Sequence, residues 1–125
     1  MGNNIFIRLD VDNAGDSIEL ALLKSDPKKA QRVHDSIQEN INLIVEMIHE
    51  KHTRTVLMKG SDDILFSVNK NEFDINFLKK IKSEFKLRTG FSISIGIGST
   101  ITQCLLNLRI AKVSGKDKIV ENKNR

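Results

Sequence analysis

Thr55-Val56-Leu57-Met58-Lys59-Gly60-Ser61-Asp62-Asp63-Ile64-Leu65-Phe66-Ser67-Val68 reads as two strands joined by an acidic turn. The apolar runs on either side carry β-forming residues, and Gly60, Ser61 and Asp62 supply hairpin turn chemistry. Gly, Ser and Asp are common in turns for local reasons, so the turn alone does not define a site. A second acidic element precedes it. Ile5-Phe6-Ile7-Arg8-Leu9-Asp10-Val11-Asp12 alternates, with Ile5, Ile7, Leu9 and Val11 on one face and Phe6, Arg8, Asp10 and Asp12 on the other. If the two strands are neighbours, their carboxylates meet at one edge of a sheet. Repulsion among such charges is relieved by a bound cation. Hard cations such as Mg²⁺ take oxygen sites of one or two carboxylates plus substrate phosphates, which points to nucleotide chemistry.

The remaining pattern supplies the frame. A short helix is expected from about Gly15 to Lys24, burying Ile18, Ala21, Leu22 and Leu23. Ser25-Asp26-Pro27 starts a longer one that reaches about Lys51, with Ala30, Val33, Ile37, Ile41, Ile44 and Ile48 as its stripe. Asp74 caps a helix ended by Gly90, with Ile75, Leu78, Ile81 and Phe85 on one face. Phe91 to Gly98 alternates strictly, and its second face carries only Ser and Gly, which leaves space for a ligand or another backbone. Ser92, Ser94 and Gly96 are therefore expected to border the nucleotide or a partner subunit. Ser99 or Thr100 caps a last helix, with Ile101, Leu105, Leu108 and Ala111 as its apolar side and Gly115 as its end. A short edge strand is expected over residues 118–120. The order of elements predicts an α+β, ferredoxin-like palm, a mostly antiparallel sheet with its helices on one face.

At 125 residues, one domain is expected over residues 1–120, with 121–125 as a solvated tail. The net charge of +4 suits anionic partners without choosing among them. No apolar run approaches the ~20 residues that span a bilayer, and the polar start does not resemble a signal peptide. With a single cysteine, Cys104, the reading is a cytoplasmic protein without an internal disulfide and without direct membrane insertion. The segment from Glu46 to His52 places its histidines three apart rather than the four of a zinc-protease helix, and reads as a solvated face. No Ser/His/Asp or Cys/His set suggests covalent catalysis.

Two further segments bear on an anionic substrate. Asp12-Asn13-Ala14-Gly15-Asp16 joins strand to helix, where backbone N–H groups favour phosphate oxygens and the small Ala14 and Gly15 allow close approach. Asn13 or Asp16 could instead meet a base or ribose. In Ala111-Lys112-Val113-Ser114-Gly115-Lys116-Asp117 the two lysines lie four apart, hence on one helical face. They would hold a triphosphate tail, or serve as cations placed favourably at a helix C-terminus.

Together these segments resemble the palms of the GGDEF and CRISPR-polymerase nucleotidyl cyclase superfamily. Gly60-Ser61-Asp62-Asp63 is similar to the GGDD/GGDEF turn, Asp10 to the first-strand metal aspartate, and Ala111-Lys112-x-x-Gly115-Lys116 to the late phosphate-binding motif, in the family order. Ser61 replaces the second glycine and Asp63-Ile64 replaces the diguanylate cyclase ending, so the chain most resembles the minimal CRISPR polymerases (mCpol). The resemblance implies catalytic Asp10, Asp62 and Asp63; metal contacts from Asp10, Val11, Asp62 and Asp63; and nucleotide contacts from Asn13, Ala14, Gly15, Asp16, Gly60, Ser61, Lys112 and Lys116. Asp12 is left between metal ligand and loop support. It further implies two Mg²⁺ ions per site, with Mn²⁺ as an alternative, and synthesis of a cyclic oligonucleotide from a nucleoside triphosphate in antiphage defence. The expected form is cyclic di-adenylate from ATP, acting on a membrane effector. Joining two nucleotides calls for two facing sites, hence a homodimer. The rivals are a mononucleotide or diguanylate cyclase and a catalytically silent nucleotide- or RNA-binding module. With no Tyr or Trp on the strands, a stable nucleic-acid partner is not expected.

Overall fold

The computed structural model describes residues 3–121. Its elements run β1 (Asn4–Val11), α1 (Ala14–Leu23), α2 (Pro27–Ile48), β2 (Arg54–Lys59), β3 (Asp63–Asn69), α3 (Ile75–Thr89), β4 (Ile93–Gly98), α4 (Ile101–Val113) and β5 (Ile119–Glu121), with a 3₁₀ turn over Lys70–Glu72. The strands form one sheet in the order β2-β3-β1-β4-β5. All neighbours are antiparallel except β4 and β5. This is the mixed, mostly antiparallel palm that the order of elements predicts.

The strand alternation decides which face is dry. Ile7 lies opposite Phe66 on one side and Ile97 on the other, and Leu9 opposite Ile64 and Ile95. These residues are buried together with Ile37, Ile41, Ile44 and Ile48 of α2 and Leu78, Ile81 and Phe85 of α3. Each fully buried side chain of this size contributes about 1.5–3 kcal/mol, so this layer is the main source of cohesion. Helix starts are fixed locally. Asp26 accepts from Lys29 N at 3.1 Å ahead of Pro27, and Asp74 accepts from Asn76 N at 2.9 Å. Gly90, at φ 80°, ends α3. Helix α2 stops at Ile48 rather than Lys51, because the chain tightens there: Glu50 N donates to Met47 O and Lys51 N to Ile48 O before β2 begins.

Two helical faces differ from expectation. In α1 the buried residues are Ala14 and Ala21, whereas Leu22 and Leu23 are exposed. This ten-residue helix packs on α2, so only a narrow strip is covered. In α4 the buried row is Cys104, Asn107 and Ala111, while Ile101 and Leu105 are 42% and 40% exposed. The cause is the Ser/Gly face of β4, on which α4 lies almost backbone to backbone. A Cβ at Gly96 would fall 2.2 Å from Leu108 N, and one at Gly98 would fall 2.4 Å from Cys104 N. Only small side chains fit so close an approach, and the buried Asn107 donates its Nδ2 to Ile97 O at 2.6 Å. Small size, not apolar bulk, thus selects the inward face. A backbone rather than a ligand fills the space over Gly96.

Glu121 closes β5, and residues 122–125 of the expected tail lie outside the described residues. Among the described residues no helix is long and apolar enough to cross a membrane.

Candidate active site

The antiparallel register brings the acidic elements together. Asp10 stands opposite Asp63 across β1 and β3, and opposite Ser94 across β1 and β4. Val11 N donates to Asp62 O at 2.9 Å, which ties the end of β1 to the hairpin turn, and Gly60 N closes that turn on Asp63 O at 2.9 Å. Asp10, Asp62 and Asp63 therefore converge at one end of the sheet.

Their environments differ. Burial, with the charges of Asp62 and Asp63 added, pushes the Asp10 carboxyl above the usual aspartate range, against the opposing pull of Lys112. Asp63 pairs with Arg8 Nη2, and its Oδ1 lies where a side chain at Gly60 would go, only 2.0 Å from an added Cβ. A side chain at position 60 would displace the Asp63 carboxylate, so glycine there leaves that carboxylate its seat. Asp62 makes no ion pair among the described residues, which leaves it the least committed of the three.

Asp12 behaves otherwise. Its side chain is 1% exposed, and it accepts from Ser92 Oγ at 2.6 Å, Ser94 Oγ at 2.8 Å, Lys112 Nζ at 2.7 Å and Asp117 N at 3.0 Å. Burial favours its neutral form, but these hydrogen bonds outweigh it, with Lys112 first among them, and the carboxyl is held below the usual range. Ser92 and Ser94 thus both donate to Asp12, Ser94 from full burial and Ser92 from a half-buried position.

Lys112 Nζ also lies 3.2 Å from Val11 O and 3.5 Å from Asp10 Oδ2. A positive charge already sits beside the Asp10 carboxylate and the Val11 carbonyl, so these two oxygens suit a hard cation. The described residues contain no group of three or more His, Cys, Asp or Glu side chains able to hold a metal ion by themselves. Magnesium sites completed by substrate phosphates do not need one.

At the start of α1, Asn13 is in the left-handed conformation at φ 63° and makes no side-chain cap. Its Oδ1 instead accepts from Lys116 Nζ at 2.6 Å. The first-turn N–H groups of α1 are left without a capping side chain, beside two lysines, an arrangement that suits an anion. Lys116 does not continue the helical face of Lys112. Helix α4 ends at Val113, and Lys116, at φ 64°, reaches the same site from the turn beyond. Ala14 is buried, Gly15, Asp16 and Ser61 are exposed, and nothing lies within 4 Å of a Cβ added at Gly15. Arg8, paired with Asp63, and Lys82, paired with Asp117, are not legible as site residues in the sequence. Arg8 had one signal, its place on the Asp10 face of β1.

The sheet order, the acidic hairpin beside β1 and the lysines beyond β4 define a palm of the CRISPR-polymerase and GGDEF nucleotidyl cyclase type. Residues 6–122 match the family model of the minimal CRISPR polymerase domain, and the chain belongs to that mCpol family. Among solved structures, a chain of the Csm1–Csm4 cassette in complex with cA4 superposes with a TM-score of 0.77 at 16% identity, over 98% of this chain and 21% of that one. The cassette in complex with one ATP gives 0.75 at 17% identity, over 94% and 20%. The GGDEF domain of DgcB from Caulobacter crescentus, in complex with c-di-GMP, gives 0.71 at 13% identity, over 98% and 78%. The chain thus spans about a fifth of the Csm1–Csm4 chains it matches, and these likenesses are of fold. No curated protein matches.

Proposed function

We propose that the protein is a metal-dependent nucleotidyltransferase that converts a nucleoside triphosphate, with ATP the first candidate, into a cyclic dinucleotide, cyclic di-adenylate, as a second messenger in antiphage defence. The observation that carries this reading is the convergence of Asp10, the Val11 carbonyl and Asp62 with Lys112, Lys116 and the open start of α1 at one end of the sheet. Asp10, Val11 O and Asp62 would hold Mg²⁺, or Mn²⁺ in its place, with Asp63 next to them and two ions in the working site. When bound, the metal polarises the phosphoryl oxygens and lowers the pKa of the attacking hydroxyl. Lys112 and Lys116 bind the β- and γ-phosphates and neutralise the charge that grows on the leaving pyrophosphate. The N–H groups of Ala14, Gly15 and Asp16 take phosphate oxygens, Asn13 orients Lys116, and Gly60 and Ser61 let the nucleotide approach the turn.

In each step a ribose hydroxyl oxygen bonds to the α-phosphorus, the bond to pyrophosphate breaks, and the hydroxyl proton leaves to solvent. Two such steps close the ring and release two pyrophosphates. One palm holds one triphosphate, so two copies must face each other about a two-fold axis. The product is read by a membrane effector in the cytoplasm. The test incubates the pure protein with each nucleoside triphosphate and Mg²⁺, reading pyrophosphate release and product mass. Turnover of none of them overturns the proposal.

A further inference from the structure

Beyond α4 the chain does something costly. Gly115, Lys116 and Asp117 have φ values of 122°, 64° and 55°. Glycine tolerates this region and aspartate visits it at lower cost, but a lysine there costs roughly 1–2 kcal/mol, and such strain persists only where the surroundings enforce it. The first constraint is ordinary. Lys116 N donates to Ala111 O at 2.9 Å, the six-to-one bond that closes a helix past a C′ glycine.

The other two constraints come from far along the chain. Asp117 N donates to both Asp12 Oδ2 and Ser94 Oγ at 3.0 Å. Lys82 Nζ, on α3, donates to Asp117 Oδ1 at 2.5 Å and to Ile93 O at 2.7 Å, so it pins the turn to the start of β4. One buried carboxylate, Asp12, therefore grips Lys112 directly and the Lys116 turn through the Asp117 amide. A carboxylate offers about four acceptor positions, and the four donors around Asp12 occupy them.

We propose that Asp12 and Lys82 are positioning residues: they hold the left-handed turn 115–117 so that Lys112 and Lys116 converge on the substrate phosphates, and Asp12 does not ligate metal. This rests on the phosphate-binding role given to those lysines above. It assigns a task to α3, which otherwise serves only the core.

The test uses the full chain and a non-reacting ATP analogue with a methylene α,β-bridge, titrated by calorimetry with and without Mg²⁺, alongside the Mg²⁺ dependence of turnover. Asp12→Asn and Lys82→Met should each weaken analogue binding about tenfold, in keeping with the loss of a charged hydrogen bond. The Mg²⁺ concentration at half-maximal turnover should stay within about twofold of wild type. Lys82→Arg should restore binding, and Lys82→Met should add little in a Lys116→Ala background, because it acts through Lys116. Lys82 lies outside the apolar core, so its variant keeps the question answerable should Asp12→Asn fail to fold. The Asp117 amide should also lose hydrogen-exchange protection in Lys82→Met. Wild-type analogue affinity in Lys82→Met overturns the role of Lys82. A tenfold or larger rise in the Mg²⁺ requirement of Asp12→Asn, with metal-free analogue binding unchanged, overturns that of Asp12. Wild-type protein that binds no triphosphate instead removes the functional reading, and this inference with it.

Discussion

Asp10 and Asp63 face each other across the central strand pair, with Lys112 on the first and Arg8 on the second. Two carboxylates held this close, with Asp62 beside them, destabilise a metal-free fold. Because the Asp10 carboxyl is raised, chiefly by burial, its contribution to stability is present below the ordinary aspartate pKa of about 3.9 and is lost as pH rises through the folded value. At neutral pH it is therefore a net cost. Asp10→Asn should raise the melting temperature of the metal-free protein by a few degrees at pH 7, with the gain shrinking towards pH 4, and should abolish turnover. Asp12, held low by its hydrogen bonds despite burial, has the opposite sign: its contribution is present above about 3.9 and is lost as pH falls below that. Asp12→Asn should therefore lower the melting temperature at pH 7. Thermal melts of both variants across pH 3–8 check the two signs.

Gly60→Ala tests the seat of Asp63. The added methyl would meet a carboxylate oxygen that can rotate away, so the fold should survive with a small change in melting temperature. The Asp63–Arg8 pair would be displaced, and misplacing a site group by about 1 Å costs about 10²-fold in rate. Steady-state kinetics beside a thermal melt separate the two effects; a wild-type rate would contradict the proposed role of Asp63.

Gly96→Ala is expected to behave in the reverse order. Its methyl would meet Leu108 N and Cys104 O, backbone atoms of α4 that cannot turn aside. Overpacking of this kind costs about 1–3 kcal/mol or more, so the urea midpoint should fall. Because α4 carries Lys112, activity should fall with it. An unchanged midpoint would contradict the close seating of α4 on β4.

These two glycines also show what the sequence could and could not disclose. Strand faces follow from period-two alternation, helix starts from Asp26-Pro27 and Asp74, and the meeting of Asp10 with the hairpin from adjacency of β1 and β3. All of these are local patterns or their direct consequence. The inward face of α4 was not legible by apolar spacing, because the glycines of another element select it by size. The pairs Arg8–Asp63 and Lys82–Asp117 join residues 55 and 35 apart in the chain, and no local pattern signals them. Spacing alone puts Lys116 on the helical face of Lys112, because it gives no warning that Lys116 itself lies in a left-handed turn.

Activity should require association. If each palm supplies one triphosphate, specific activity should fall with dilution as dimer dissociates, following a midpoint that matches the association constant from sedimentation. Constant specific activity in demonstrated monomer would overturn the facing-sites arrangement.

The most direct measurement compares wild type with Asp62→Ala and Asp63→Ala, each incubated with ATP and Mg²⁺, and identifies products by mass spectrometry and linkage-specific nucleases. The account predicts a cyclic dinucleotide with two pyrophosphates released per molecule from wild type, and none from either variant, while circular dichroism shows all three folded. Undiminished product from both variants would contradict the assignment of the acidic turn as the catalytic centre.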